Sequence, residues 1–132
     1  MLQKLSMIFG VVFLLIGVLG FVPGITTNEQ LLGIFHVNAV HNIIHLVSGA
    51  VALWAGFTSA KAAKMYFQIF GVIYALVTVL GFFTGEGLIV GLVANNMADV
   101  VLHLVIAVVA LYAGFGMKAP AASMPMSTPP AM

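Results

Sequence analysis

The sequence predicts an all-α integral membrane protein: a four-helix bundle built from two tandem helical hairpins, with pseudo-two-fold symmetry along the membrane normal. Three observations lead there. Of 132 residues, 63% are apolar and 5% charged, with a mean hydropathy of +1.22, whereas soluble domains carry roughly 25% charged residues. Four apolar segments each approach the roughly 20 residues that cross hydrocarbon. The second pair of segments repeats the first. Such a chain cannot clothe itself in polar side chains, so the lipid bilayer is its solvent and first partner. A formal charge of +1 offers no basic surface to nucleic acid. The absence of cysteine excludes disulfides, thiolate metal sites and cysteine nucleophiles.

The first span is expected over Leu5 to Val22, ended by Pro23-Gly24. Lys4 ahead of this run resembles the start of a signal peptide. No A-x-A-like cleavage site follows, however, and the segment recurs later as a helix, so it is expected to stay. The second span, Ala39 to Phe57, carries His41 and His45 near its start. The third, Met65 to Phe83, is closed by Thr84-Gly85-Glu86-Gly87, and the fourth, Met97 to Gly116, carries Asp99 and His103. Lys4, Lys61, Lys64 and Lys118 fall on the termini and the second loop, while Glu29 and Glu86 fall on the other two loops. Positive residues are retained on the cytoplasmic side, so both termini are expected there, with Trp54 and Tyr112 near the inner interface. The membrane domain then covers residues 1–117, and the Pro/Ala/Met-rich stretch 118–132 reads as a flexible cytoplasmic tail.

Moved 61 positions along the chain, the first helix lands on the third. Phe9, Gly10, Val11, Leu15, Val18, Leu19, Gly20 and Phe21 find identical residues there, 8 identities in 13 positions. Moved 58 positions, Asn38 to Phe57 matches the fourth helix at 10 of 20, including Asn38/Asn96, His45/His103, Gly56/Gly114 and Phe57/Phe115. Apolar composition does not supply matched His, Asn and Gly, so the chain is a tandem repeat of about 5–57 and 65–116. Two helices per copy give both copies the same orientation, related by an axis along the membrane normal. If the second and fourth helices face each other across that axis, His45 meets His103 and His41 meets Asp99.

His41 and His45 share a helix face, as do Asp99 and His103, each pair four residues apart. Small residues continue each face: Gly49, Ala52 and Gly56 on one helix, Ala107, Ala110 and Gly114 on the other. Small residues let membrane helices pack closely, so this face is expected inside the bundle. Charges near a membrane centre cost about 2.5 kcal/mol or more each, so the polar cluster needs a purpose. One reading is interhelical hydrogen bonding, with Asp99 accepting from a histidine and Asn38, Asn42, Asn95 and Asn96 completing the set. A second is a metal site, in which His41, His45, Asp99 and His103 make a four-coordinate cage for Zn²⁺ or hold Fe or Cu. A third is axial ligation by His45 and His103 of a tetrapyrrole, haem or a chlorophyll-type ring. His36 has Ala94 as its repeat mate and reads as a surface histidine in an apolar loop that lies in the membrane interface.

The motifs H-N-x-x-H-L (His41 to Leu46) and D-x-x-x-H-L (Asp99 to Leu104) each lead into a Val/Ala/Leu-rich helix ending in Ala-Gly-Phe. With Phe70-Gly71-Val72-Ile73-Tyr74, they make the chain resemble a bacterial family of small four-helix integral membrane proteins catalogued as a domain of unknown function. The resemblance covers roughly residues 5–116. It implies four spans in a bacterial cytoplasmic (inner) membrane and no assigned activity. No serine-nucleophile elbow, phosphate-binding glycine loop or pair of acids is present. The leading expectation is therefore a non-enzymatic packing or accessory subunit. Glycine faces on the first and third helices (Gly10, Gly17, Gly20; Gly71, Gly81) would serve a homo-oligomer or other membrane subunits. The alternatives are a metal- or tetrapyrrole-binding protein and, last, a small transporter or channel, for which one polar cluster at one end supplies no hydrated path.

Overall fold

Each apolar segment forms a helix long and apolar enough to cross a membrane. In the computed structural model, which describes residues 1–121, α1 spans Leu2–Leu19, α2 Ala39–Thr58, α3 Ala60–Thr84 and α4 Met97–Leu111. A π turn over Tyr112–Gly116 continues α4. The tail expected from Lys118 lies, from position 122 onward, outside the described residues. The helix boundaries follow local chemistry that apolar length does not register. Tight turns from Phe21 to Val18 and from Val22 to Leu19 close α1 ahead of Pro23. Ser59 alone joins α2 to α3. Its extended backbone (φ −169°, ψ 164°) stops the first helix, and its Oγ accepts from Ala62 N at 3.0 Å to cap the next. Lys61 and Lys64 therefore lie in the opening turns of a helix rather than in a loop, and Lys64 Nζ donates to the Met117 carbonyl at 2.9 Å.

The two connections expected as apolar loops are small antiparallel sheets instead. After α1 come β1 (Thr26–Thr27), β2 (Gln30–Leu31) and β3 (Phe35–His36); after α3 come β4 (Gly87–Ile89) and β5 (Val93–Asn95). Each sheet has a tip whose two central residues take positive φ, Leu32-Gly33 in one and Val90-Gly91 in the other. That is the primed turn suited to tight hairpins, although Asn-Gly is its usual sequence. Leu32 and Val90 each carry a cost of about 1–2 kcal/mol in this left-handed region. They are also 58 positions apart, as are Gly33 and Gly91, so the repeat runs through the hairpins, where most other paired residues differ.

A reciprocal pair of hydrogen bonds joins the two copies. Asn38 caps α2 by accepting from His41 N at 2.9 Å and donates Nδ2 to the Leu92 carbonyl at 2.8 Å. Asn96 caps α4 by accepting from Asp99 N at 3.0 Å and donates Nδ2 to the Ile34 carbonyl at 2.7 Å. The donors are repeat mates and so are the acceptors, which is the pattern that a two-fold axis along the helices produces.

Inside each copy, small residues bring the helices together. An ideal Cβ on Gly49 would lie 2.8 Å from the Gly10 carbonyl oxygen, so α1 and α2 touch backbone to backbone. Gly10, Gly17 and Gly20 all pack against α2, while Gly71 packs on Leu111 and Gly81 on Asn95. The glycine faces expected to serve association are thus used within the hairpins, because close helix contact needs them there. The stripes Gly49–Ala52–Gly56 and Ala107–Ala110–Gly114 are buried, as expected. Where the copies meet, Phe9, Phe13, Phe67, Phe70 and Tyr74 fill the axis with edge-on and stacked rings.

Candidate metal centre

The aromatic column ends against three histidines. Phe13 lies 5.2 Å from His45 and Tyr74 lies 5.4 Å from His103, ring centre to ring centre, and the repeat relates these two contacts. His41, one turn earlier on α2, is 4.7 Å from His45 and 5.7 Å from His103. All three residues are buried, and one nitrogen from each ring lies within 4.8 Å of the other two. The second and fourth helices therefore do face each other at this depth, through side chains. Cavities of about 190 and 140 Å³ flank the triad.

The hydrogen bonding of the three rings is sparse. His41 Nδ1 lies 3.1 Å from the His36 carbonyl. A carbonyl only accepts, so Nδ1 carries the proton and Nε2 keeps its lone pair, the arrangement that orients metal-binding histidines. His45 Nε2 and His103 Nδ1 are buried without a hydrogen-bond partner among the described residues. Buried polar atoms are nearly always partnered, and each orphan costs about 1–3 kcal/mol. The hydrogen-bond reading of the cluster leaves these two nitrogens unexplained.

Asp99 does not join the triad, and no histidine ring donates to it. Its Oδ2 accepts from Asn96 N at 2.9 Å, completing a capping box, and from His36 N at 3.0 Å, tying α4 to the other copy. The cage of four ligands expected from the sequence thus becomes three imidazoles, because a carboxylate at the third helical position is close enough to its own cap to serve there. Asn96-x-x-Asp99 carries that signal in the sequence. Asn95 likewise serves structure, donating to the Gly81 and Gly85 carbonyls at the end of α3; its Oδ1, beside Gly81, is a third buried atom without a partner among the described residues. His36 does more than a surface histidine. Its ring lies 3.6 Å from the Glu29 carboxylate, while its backbone bridges Asp99 and the His41 ring.

Two related hairpins, capped by small sheets at one end and carrying three convergent buried histidines, define a small four-span membrane protein with a candidate metal centre. Across residues 3–116 the chain matches the family described as Domain of unknown function (DUF4383), and it belongs to that family. No curated protein and no solved structure matches it.

Proposed function

We propose that this membrane protein binds one transition-metal ion through His41, His45 and His103. The observation that carries the reading is a pair of buried ring nitrogens, on His45 and His103, without a partner among the described residues, in a triad that brings one nitrogen of each ring within 4.8 Å of the other two. Three nitrogen donors and no thiolate suit Zn²⁺, Fe or Cu rather than Mg²⁺, which takes oxygen. A tetrahedral ion with Zn–N near 2.0–2.1 Å needs ligand nitrogens roughly 3.3 Å apart, so loading draws the rings inward by up to roughly 1.5 Å. Three protein ligands also leave a fourth position for another molecule, as catalytic rather than structural zinc sites do.

The tetrapyrrole alternative has less support, since the His41 ring stands against both His45 and His103 where a flat macrocycle has to lie. A transport path has less again, with Phe9, Phe13, Phe67 and Phe70 filling the axis. In the proposed setting, the hairpin end faces the outside of a bacterial cytoplasmic membrane and the lysine-bearing end faces the cytoplasm. Elemental analysis of detergent-purified protein tests the proposal. About one equivalent of zinc, iron or copper is expected, and none in a His45→Ala/His103→Ala variant that keeps its helical circular dichroism. Metal-free wild type that stays so after incubation with each ion refutes it.

A further inference from the structure

We infer that the flank between α2 and α3 seats a long-chain carboxylic acid, with its carboxylate at the histidine triad and its chain lying along the groove toward Trp54. Two cavities run together on this flank. The first, about 190 Å³, is bounded by the three histidines, Ser48 and Tyr74; the second, about 240 Å³, reaches Trp54, and the two share Ser48, Phe70 and Ile73. Jointly they enter the range of roughly 300–1,000 Å³ seen for small-molecule sites. From Ile44 to Ala55 the groove follows α2 for about 16 Å at 1.5 Å per residue. That is half of the roughly 30 Å hydrocarbon thickness, the depth of one leaflet's chains. Val47 and Ile73 on the walls are exposed, so the groove opens sideways to lipid.

The repeat supplies an internal control. Between α4 and α1 lies the equivalent groove, with cavities of about 270 and 140 Å³. There Ile106 takes the place of Ser48, Phe13 that of Tyr74, and Asp99 that of His41. Both grooves reach His41, His45 and His103; the first adds two hydroxyls beside them, and the second adds the Asp99 carboxylate on an otherwise apolar wall. An anionic head is favoured in the first and repelled from the second.

The choice of head group rests on the metal reading. A divalent ion on three neutral imidazoles keeps both positive charges in a low-dielectric site, where unpaired charge is costly. An incoming carboxylate neutralises one charge and supplies the oxygen donor that Asp99, held in its capping box, does not. A neutral amphiphile does neither.

Trp54, the only tryptophan, lines the far end of the groove and reports on its occupancy. Zinc-loaded protein in nanodiscs is titrated with a stearate brominated in mid-chain, whose bromines quench indole fluorescence. Quenching is expected to saturate at one equivalent. It should weaken at least tenfold in half-saturation for the brominated methyl ester and for Ser48→Ile/Tyr74→Phe, which installs the side chains of the other groove. Zinc content, measured on the same samples, should not change in that variant. Unsaturable quenching, or equal quenching in the variant, overturns the groove assignment and leaves the metal reading standing. Saturable quenching in protein that binds no zinc, lost in the variant, removes the metal reading and keeps the groove.

Discussion

The third residue of α2 and the third residue of α4 occupy matching places and do opposite things. Both helices start on an asparagine whose side chain caps its own helix and reaches across to the other copy's hairpin. On α4 the third residue is Asp99, short enough to turn back onto the cap and to hold His36 N. On α2 it is His41, whose ring instead donates to the His36 carbonyl and stands beside His45 and His103. One helix start is closed upon itself and the other is opened toward the axis. The scaffold keeps the two-fold pattern in caps, turns and cross-bonds, whereas the chemistry departs from it at His41/Asp99, Ser48/Ile106 and Tyr74/Phe13.

Breaking the closed start has the largest expected effect. Asp99→Ala removes the carboxylate from two backbone N–H groups at once. At about 1–3 kcal/mol for each orphaned donor, roughly 3 kcal/mol of stability should be lost, read as a lower melting temperature in detergent. Its metal content should stay near that of the wild type, while His41→Ala does the reverse, losing metal with a smaller drop in melting temperature. If Asp99→Ala strips the metal as fully as the histidine double variant, the division of labour between these positions is wrong.

A smaller effect separates the two hairpins themselves. Gly49 and Ala107 are repeat mates, and a Cβ at position 49 would meet the backbone of α1 at Gly10 and Leu14. Gly49→Ala should therefore cost about 1–3 kcal/mol by overpacking. The reciprocal Ala107→Gly should cost about 1–2 kcal/mol, from helix propensity and the loss of one buried methyl. A Gly49→Ala cost below about 0.5 kcal/mol would mean that α1 and α2 relax apart freely.

The smallest contrast lies between the cross-bonds. Removing either asparagine loses a cap worth about 1 kcal/mol and a hydrogen bond worth about 1 kcal/mol. Asn96→Ala should cost the more of the two, because Asn96 is buried, belongs to the capping box, and makes a less exposed bond than the one from Asn38 to Leu92. Amide hydrogen exchange should show the opposite copy's hairpin, and not its own, losing protection in each variant.

Four spans, the repeat and the shared face of His41 and His45 are legible in the sequence alone. Each follows from a period or a length, and a uniform apolar solvent enforces both along a single helix. The helix boundaries were less legible. Ser59 looks like an ordinary loop residue, and it takes its extended backbone to register as the whole connection between α2 and α3. The hairpins are hard to read because Leu32-Gly33 and Val90-Gly91 lack the asparagine that usually marks a primed turn, because Asn28 in the β1–β2 turn is followed by Glu29 rather than glycine, and because strands of two or three residues show no alternation.

From residue order alone follow the solvent this chain requires, its number of crossings, its duplication and the face on which its histidines lie. These are properties of one helix at a time. Only the folded bundle decides that His103 of one copy reaches His41 and His45 of the other while Asp99, drawn to its own helix cap, does not. Meeting across an axis depends on the relative depth and rotation of separate helices. Those are set by Gly49 against Gly10, by the rings of Phe13 and Tyr74, and by two asparagines bonding across the axis, none of which a periodicity along the chain contains.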